Sequence, residues 1–383
     1  MLSASNPANP LQKSIKLIDP VTKKPFVNNQ IPTSRFDRAA LGTVALLPTA
    51  TQSNGFVNFV QPFAPQDFDE EIIRIDHALT PSDRLTGRYF LDTYINPAIY
   101  TDGNILTYND GQPNRSQNLL LQEVHTFGTK VVNDARFTYT RVNGLHTPPT
   151  NAPDLSDLGV NLYQPGGVPK AMQGISVSGI FSFGDHPFGG FIRNNYFVYD
   201  DVKIEKGRNN ISLGGVVEYA RFDENNQNNE FGSFSFSGDS TGYSLADFLL
   251  GSVRSFSQGS GEIMNVPNTF VNVYAEDSIR LLPQFTLSLG LRYEPYQPWN
   301  EIHNREEIFR PADFLAGKVS TAYPNAPAGL SFPGDPGFPK GGTGGDYKTL
   351  APRSGLHGTS SETTIRACVA GPEPSIIPAS FRR

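Results

Sequence analysis

The sequence has a single cysteine, Cys368, in 383 residues. That excludes an intrachain disulfide and a zinc site built on cysteine pairs. It has no apolar run approaching the roughly 20 residues that a spanning helix needs, so a helical membrane anchor is excluded. It has no basic cluster: 31 Lys and Arg stand against 37 Asp and Glu, for a formal net charge of −6. Nucleic acid is therefore not an expected partner. Apolar residues reach only 38%, and mean hydropathy is −0.34, which is thin for a large conventional core. The opening Met1-Leu2-Ser3-Ala4-Ser5-Asn6 has neither the charged nor the apolar stretch of a secretory leader.

What the chain does have is rings and turn formers. Phe and Tyr number 27 and 15, and Gly and Pro number 36 and 31. Aromatics favour strands, while Gly and Pro interrupt helices, so β structure with many turns is expected. A spanning β-barrel is compatible with the low hydropathy, because its strands are apolar only at alternate positions.

Alternation is strict from Phe285 to Glu294. Phe285, Leu287, Leu289, Leu291 and Tyr293 share one face, and Thr286, Ser288, Gly290, Arg292 and Glu294 the other. A period of two is strand geometry, and about ten residues is what a tilted strand needs to cross a bilayer. The preceding Thr269 to Arg280 places Val271, Val273, Ala275 and Ile279 on one face, broken by Asp277, and turns through Leu281-Leu-Pro-Gln284. The same unit recurs, so antiparallel hairpins are expected at 70–92, 118–142, 195–221 and 269–294. Leu213, Val217, Phe137, Tyr139, Leu287, Leu289 and Leu291 should face outward to lipid. Arg74, Arg84, Arg88, Arg136, Glu218, Arg292 and Glu294 lie on the polar faces.

Between hairpins the connections are long, at about 93–117, 143–194, 223–268 and 295–348, and rich in Pro, Gly, Asn and Asp. Polar faces alone fit either a wet lumen or the solvated side of a one-sided sheet. Short turns alternating with long loops are the layout of outer-membrane barrels, with the turns periplasmic. A compact soluble domain has no reason to sort its loops this way. The same layout demands an even number of crossings between Tyr219 and Val271, and zero is expected. Phe231 to Gln258 is read as an excursion whose Phe234-Ser-Phe-Ser237 alternation is too short to span. Ala246 to Leu250 is read as a short turn of helix.

The stretch from Phe270 through Asp277 and Arg280 to Phe285-Thr-Leu-Ser-Leu-Gly-Leu-Arg-Tyr-Glu294 resembles the barrel hairpin of TonB-dependent receptors. Four further stretches look like the Oar-like subgroup: Asp19 to Asp37, Arg74-Ile-Asp-His77 with Asp83 to Tyr89, Ala246-Asp-Phe-Leu-Leu-Gly251, and Leu350 to Gly355. Each is weak alone; five in the family's order are more specific. The resemblance covers residues 18–356. It implies an all-β, antiparallel up-and-down transmembrane barrel, whose full-length form sits in the outer membrane. It also implies energy-coupled uptake of a bulky nutrient: a metal chelate, a glycan or a peptide. The implied partners are outer-membrane lipid and the TonB energy-coupling complex, which acts through a plug.

The family's signal peptide, β-sandwich and plug are not visible here, and its barrel has about 22 strands. Eight strands read plainly from this sequence, with others starting at Leu350 and Thr363. The expectation is a truncated or frame-shifted receptor piece, inactive alone. It divides into a loop-like lead-in over 1–68, barrel hairpins over 69–356, and an aberrant tail over 357–383 that lacks a strand pattern from Cys368 on.

No catalytic, cofactor-binding or metal residue is assigned, and no cofactor is expected. The histidines at 77, 125, 146, 186, 303 and 357 lack helical zinc spacing. Gly341-Gly-Thr-Gly-Gly345 has no Lys-Ser/Thr after it, so a loop is favoured over a phosphate cradle. Asp67, Asp69, Glu70 and Glu71 read as a solvated strand start. Loops 143–194 and 295–348 would supply selectivity, with Pro148, Pro149, Tyr163, Phe188, Phe191, Tyr296 and Trp299 as contact residues by type. The competing readings are a plugless porin and a secreted β-rich carbohydrate-active enzyme. The enzyme needs paired carboxylates, for which Glu294 and Glu301 are available.

Overall fold

The computed structural model describes residues 14–52, 56–153, 156–164, 166–167, 169–184, 188–359 and 364–369. A lead-in carries helix α1 (Arg38–Ala45), and then hairpins and loops alternate. β1 (Asp67–Thr80) and β2 (Asp83–Asn96) form the first hairpin, and the loop after it holds β3 (Ile99–Thr101) and β4 (Asn104–Asn109). β5 (Gln112–Phe127) and β6 (Val131–His146) form the second, followed by a loop with β7 (Gly174–Val177) and β8 (Phe181–Phe183). β9 (Gly189–Lys206) and β10 (Asn209–Asn226) form the third. Its loop carries β11 (Ser233–Phe236), α2 (Ser244–Leu249) and β12 (Ser255–Ser257). β13 (Glu262–Leu282) and β14 (Phe285–Tyr293) form the fourth, and then come β15 (Ile308–Phe309), α3 (Pro311–Leu315) and β16 (Leu330–Ser331). β17 (Leu350–Thr359) and β18 (Thr364–Val369) complete the described chain.

Ten of these strands make one sheet in the order β1-β2-β5-β6-β9-β10-β13-β14-β17-β18, every pair antiparallel. Among the described residues β1 pairs only with β2, and β18 only with β17. The four expected hairpins are all present. β10 pairs directly with β13, so no strand of this sheet intervenes between Tyr219 and Val271. Strand pairing continues past residue 356: Cys368 pairs with Gly355 inside β18. That corrects the reading of Cys368 and Val369 as patternless.

Register sorts the side chains. Leu213 pairs with Val202 and Ala275, and Ala275 with Leu291, so these share a face. The same bookkeeping puts Ile75, Leu121, Phe137, Val198, Val217 and Leu289 there. Nothing among the described residues covers it: Ile75 is 67% exposed, Val198 56% and Leu291 48%. A contiguous apolar face of this extent is not sustained in water, whereas against lipid it is buried. The opposite face is a polar ladder. Arg136 pairs with Asp201, whose carboxylate also accepts from Tyr274 Oη at 2.7 Å. Arg88 donates to Asn118 at 3.1 Å, and Asn118 to Thr140 at 2.9 Å. Arg74, Glu218 and Arg292 lie on that same face.

Tyr89, Tyr139, Tyr196 and Tyr219 form a nearly continuous row across five strands on the apolar face. Ring centroids of Tyr139 and Tyr196 are 4.9 Å apart, and of Tyr196 and Tyr219 6.2 Å. Tyr139 Oη donates to Asn194 at 3.1 Å, and Gln117 donates to Tyr89 Oη at 2.7 Å. An apolar ring body with a wet hydroxyl is the chemistry of a membrane-interface belt.

The buried core lies elsewhere, in the loops at the end away from the tight turns. Ile105, Tyr108, Met172, Ile175, Val177, Phe236 and Phe248 cluster with Ala40 of α1. Ile15, Leu17 and Phe26 of the lead-in pack on Tyr243 and Ala246. A second sheet, β12-β11-β7-β8, runs through this cap, with β11 parallel to β7.

Candidate ligand-binding cap

The cap is fastened by buried carboxylates. Asp247 of α2 is 1% exposed. It accepts from the N–H groups of Gly238, Ser240 and Thr241 at 2.9, 3.2 and 2.8 Å, and from Thr241 Oγ1 at 2.6 Å. Each donor would otherwise be an unpaired polar group inside the cap. In the lead-in, Asp19 accepts from Arg35 at 2.8 Å, from Val21 N–H at 3.0 Å and from Thr22 Oγ1 at 3.1 Å. The Arg35 guanidinium, aided by these donors, lowers the Asp19 carboxyl to about 2. Asp37 caps α1 by accepting from Ala40 N–H at 2.9 Å.

Two stretches that stand over two hundred residues apart in sequence meet here. Asp37 N–H donates to Leu249 O at 2.8 Å, and Ile18 N–H to Thr241 O at 2.9 Å. Gly251 closes α2 at φ +66, and a Cβ there would stand 3.3 Å from Asp37. The Asp19–Asp37 and Ala246–Gly251 stretches are thus two halves of one joint. Beside it a cavity of about 300 Å³ is walled by Ala40, Leu158, Ile175, Phe234, Phe236 and Phe248, with Arg38 and Thr43 as polar groups on its lining. Tyr108 is buried deeper, its phenol pushed up to about 12 by burial, and its Oη accepts from Met172 N–H at 3.3 Å.

The residues expected to contact ligand are dispersed. Pro148 and Pro149 are buried. Phe191 belongs to β9, not to a loop, and faces the polar side, where Arg193 lies over its ring and that of Phe222. That corrects its placement in the 143–194 loop. Tyr163 is exposed, Tyr296 bridges to Asp346, and Trp299 packs edge-on against Phe270 at 5.6 Å. Phe188 is half-buried, and its carbonyl accepts from Gln227 N–H at 3.1 Å. Sequence reasoning missed Arg38 and Phe236, and although it read 1–68 as loop-like, nothing local says that this lead-in docks on the Ala246–Gly251 stretch.

Glu301 is 4% exposed. Burial pushes its carboxyl up, but N–H groups of Arg305, His303 and Asn265 outweigh that and hold it below its ordinary value. Its oxygens are committed to shaping the loop, so it is no partner for Glu294, which pairs with Arg292 at 3.1 Å. Gly341 has φ +64, and a Cβ there would meet Trp299 O at 2.1 Å, so the glycine run serves close packing. Among the histidines, His146 pairs with Asp110 at 2.6 Å, and His303 N–H donates to Glu301 at 2.8 Å. His186 lies outside the described residues. Asp83, Glu123 and His125 bring ligand atoms within 4.8 Å of one another.

The sequence profile of the outer membrane beta barrel domain matches residues 3–369. The chain belongs to that family. Its place is the outer membrane. The family describes a membrane barrel. No curated protein matches the sequence. Among solved structures, the chain is similar to the FrpB iron transporter from Neisseria meningitidis (F5-1 variant, apoprotein form). Identity is 14% and TM-score 0.40, covering 80% of this chain and 36% of that one. It is also similar to the open form of the ferric-catecholate import receptor Fiu from E. coli K12, at 10% identity and TM-score 0.40, covering 81% of this chain and 47% of that one. A third is the translocator domain of the autotransporter NalP from Neisseria meningitidis, at 8% identity and TM-score 0.26, covering 77% and 71%. The chain thus spans less than half the length of those two transporters.

Proposed function

We propose that this barrel is part of an Oar-like, TonB-dependent receptor that takes up a bulky nutrient. The observation carrying the reading is the joint between Asp19–Asp37 and Ala246–Gly251. Two stretches that resemble the subgroup in sequence are also partners in space, in the cap at the loop end. A pore serving passive diffusion needs an open mouth; this one has a folded, apolar-cored cap with a cavity in it. The cargo is a metal chelate, a glycan or a peptide, and the energy comes from the TonB complex acting on a plug.

The test is gene deletion in the source bacterium, followed by uptake of labelled ferric chelates, oligosaccharides and peptides. Uptake of one class should fall on deletion, and a protonophore should abolish it in the undeleted strain. Uptake that is lost on deletion but indifferent to the protonophore would establish the porin reading instead.

A further inference from the structure

We propose that Asp83, Glu123 and His125 form a divalent-metal site, suited to zinc, on the lipid-facing side of the sheet at its turn end. Strand pairing creates it. Asp83 and His125 are direct cross-strand partners between β2 and β5, and Glu123 partners Leu85 one step along. Residues directly opposite, or two apart on one strand, present side chains to the same face. All three therefore project together, and their ligand atoms lie within 4.8 Å of one another.

The constellation is held in place. Asp83 bonds His125 Nδ1 directly and Thr80 Oγ1 in the turn, so zinc would enter by replacing the Asp83–His125 contact, and Thr126 N–H donates to Ser82 O at 2.9 Å, tying that turn to β5. The His125 ring leans on Phe127 with centroids 4.0 Å apart. Asp83 and His125 are half-buried and Glu123 is exposed, and Asp83 abuts the tight turn after Thr80, at the end of the sheet where the strands leave the membrane. An imidazole nitrogen and carboxylate oxygens are each donors that zinc accepts, and three protein ligands would leave a fourth position open. Magnesium and calcium prefer oxygen alone. A search for paired histidines at helical spacing overlooks this cluster, because its members are brought together across strands.

The experiment uses the full chain refolded in detergent micelles and titrated with zinc chloride by calorimetry, with magnesium chloride as competitor. One equivalent of zinc should bind and resist magnesium in large excess. His125→Gln and Glu123→Gln should each weaken binding by at least the roughly 10- to 100-fold that loss of an outer-shell partner costs. His77→Gln, a histidine on the same face outside the cluster, should leave affinity unchanged. Heat-modifiable gel migration checks that each variant folds, and Glu123→Gln carries the test if His125→Gln does not. Zinc binding that survives both substitutions, or that equal magnesium displaces, overturns the proposal.

Discussion

Asp247 has no spare capacity: four donors converge on two oxygens. Asp247→Ala strands those donors, and at about 1–3 kcal/mol for each unsatisfied group the loss should reach ~3 kcal/mol or more. Protease cleavage within 227–261 should rise while heat-modifiable migration stays as it is; unchanged cleavage would show the carboxylate to be dispensable. Asp19 makes a pH prediction. Its carboxyl is lowered to about 2 from 3.8 in the unfolded chain. A depressed carboxyl stabilises fully above the unfolded value and loses that contribution as pH falls through the folded one. Amide exchange in 14–37 should therefore accelerate as pH is lowered from 4 towards about 2, after correction for intrinsic rates. Arg35→Gln should flatten that profile. The sequence marks Asp19 and Asp247 only as members of strings. Their acceptor roles depend on partners whose placement no local pattern encodes.

At the level of elements, the hairpins were legible because one face of each is apolar. Legibility stops where both faces turn polar. β9 and β10 each run 18 residues, ending among Arg193, Asn194, Asp223, Asn225 and Asn226, where alternation vanishes and the expected bounds of 195 and 221 fell short. Short cap strands such as Phe181–Phe183 alternate over too few residues for the period to identify them. Leu291→Arg tests the facing: an Arg on the lipid side costs roughly 2–4 kcal/mol at the midplane. Folding yield into vesicles should drop for Leu291→Arg and hold for Thr286→Arg on the polar face. Spin labels at Leu289 and Arg292 should favour apolar and polar quenchers respectively; equal access would break the assignment. Gly251→Ala forces a left-handed backbone onto a side chain and should cost ~1–2 kcal/mol, seen as faster exchange across 244–251.

Taken as a whole molecule, the chain divides its apolar residues between two solvents. Those of the cap are buried against protein, and those of the sheet are left for lipid. This explains the thin composition, since a barrel wall needs only one apolar residue in two. It also explains why the barrel was readable and the cap was not. Hairpin contacts are between neighbours in sequence, whereas the joint of 14–52 with 241–250 is non-local. The sheet face predicts that the protein fractionates with the outer membrane and resists alkaline extraction; recovery in the soluble fraction would oppose it.

The tyrosine row also sets a thickness. On β6 the outward positions run Asn133, Ala135, Phe137, Tyr139 and Arg141, so polar groups bracket the greasy stretch at both ends. The eight residue steps from Asn133 to Arg141, at about 3.4 Å each and tilted by roughly 40°, span only about 20 Å of depth. That is shorter than the roughly 30 Å hydrocarbon of an average bilayer and in keeping with the thinner outer membrane. Hydrophobic mismatch should therefore govern assembly: insertion should be fast and complete in vesicles of short-chain lipids, and should slow as the acyl chains lengthen.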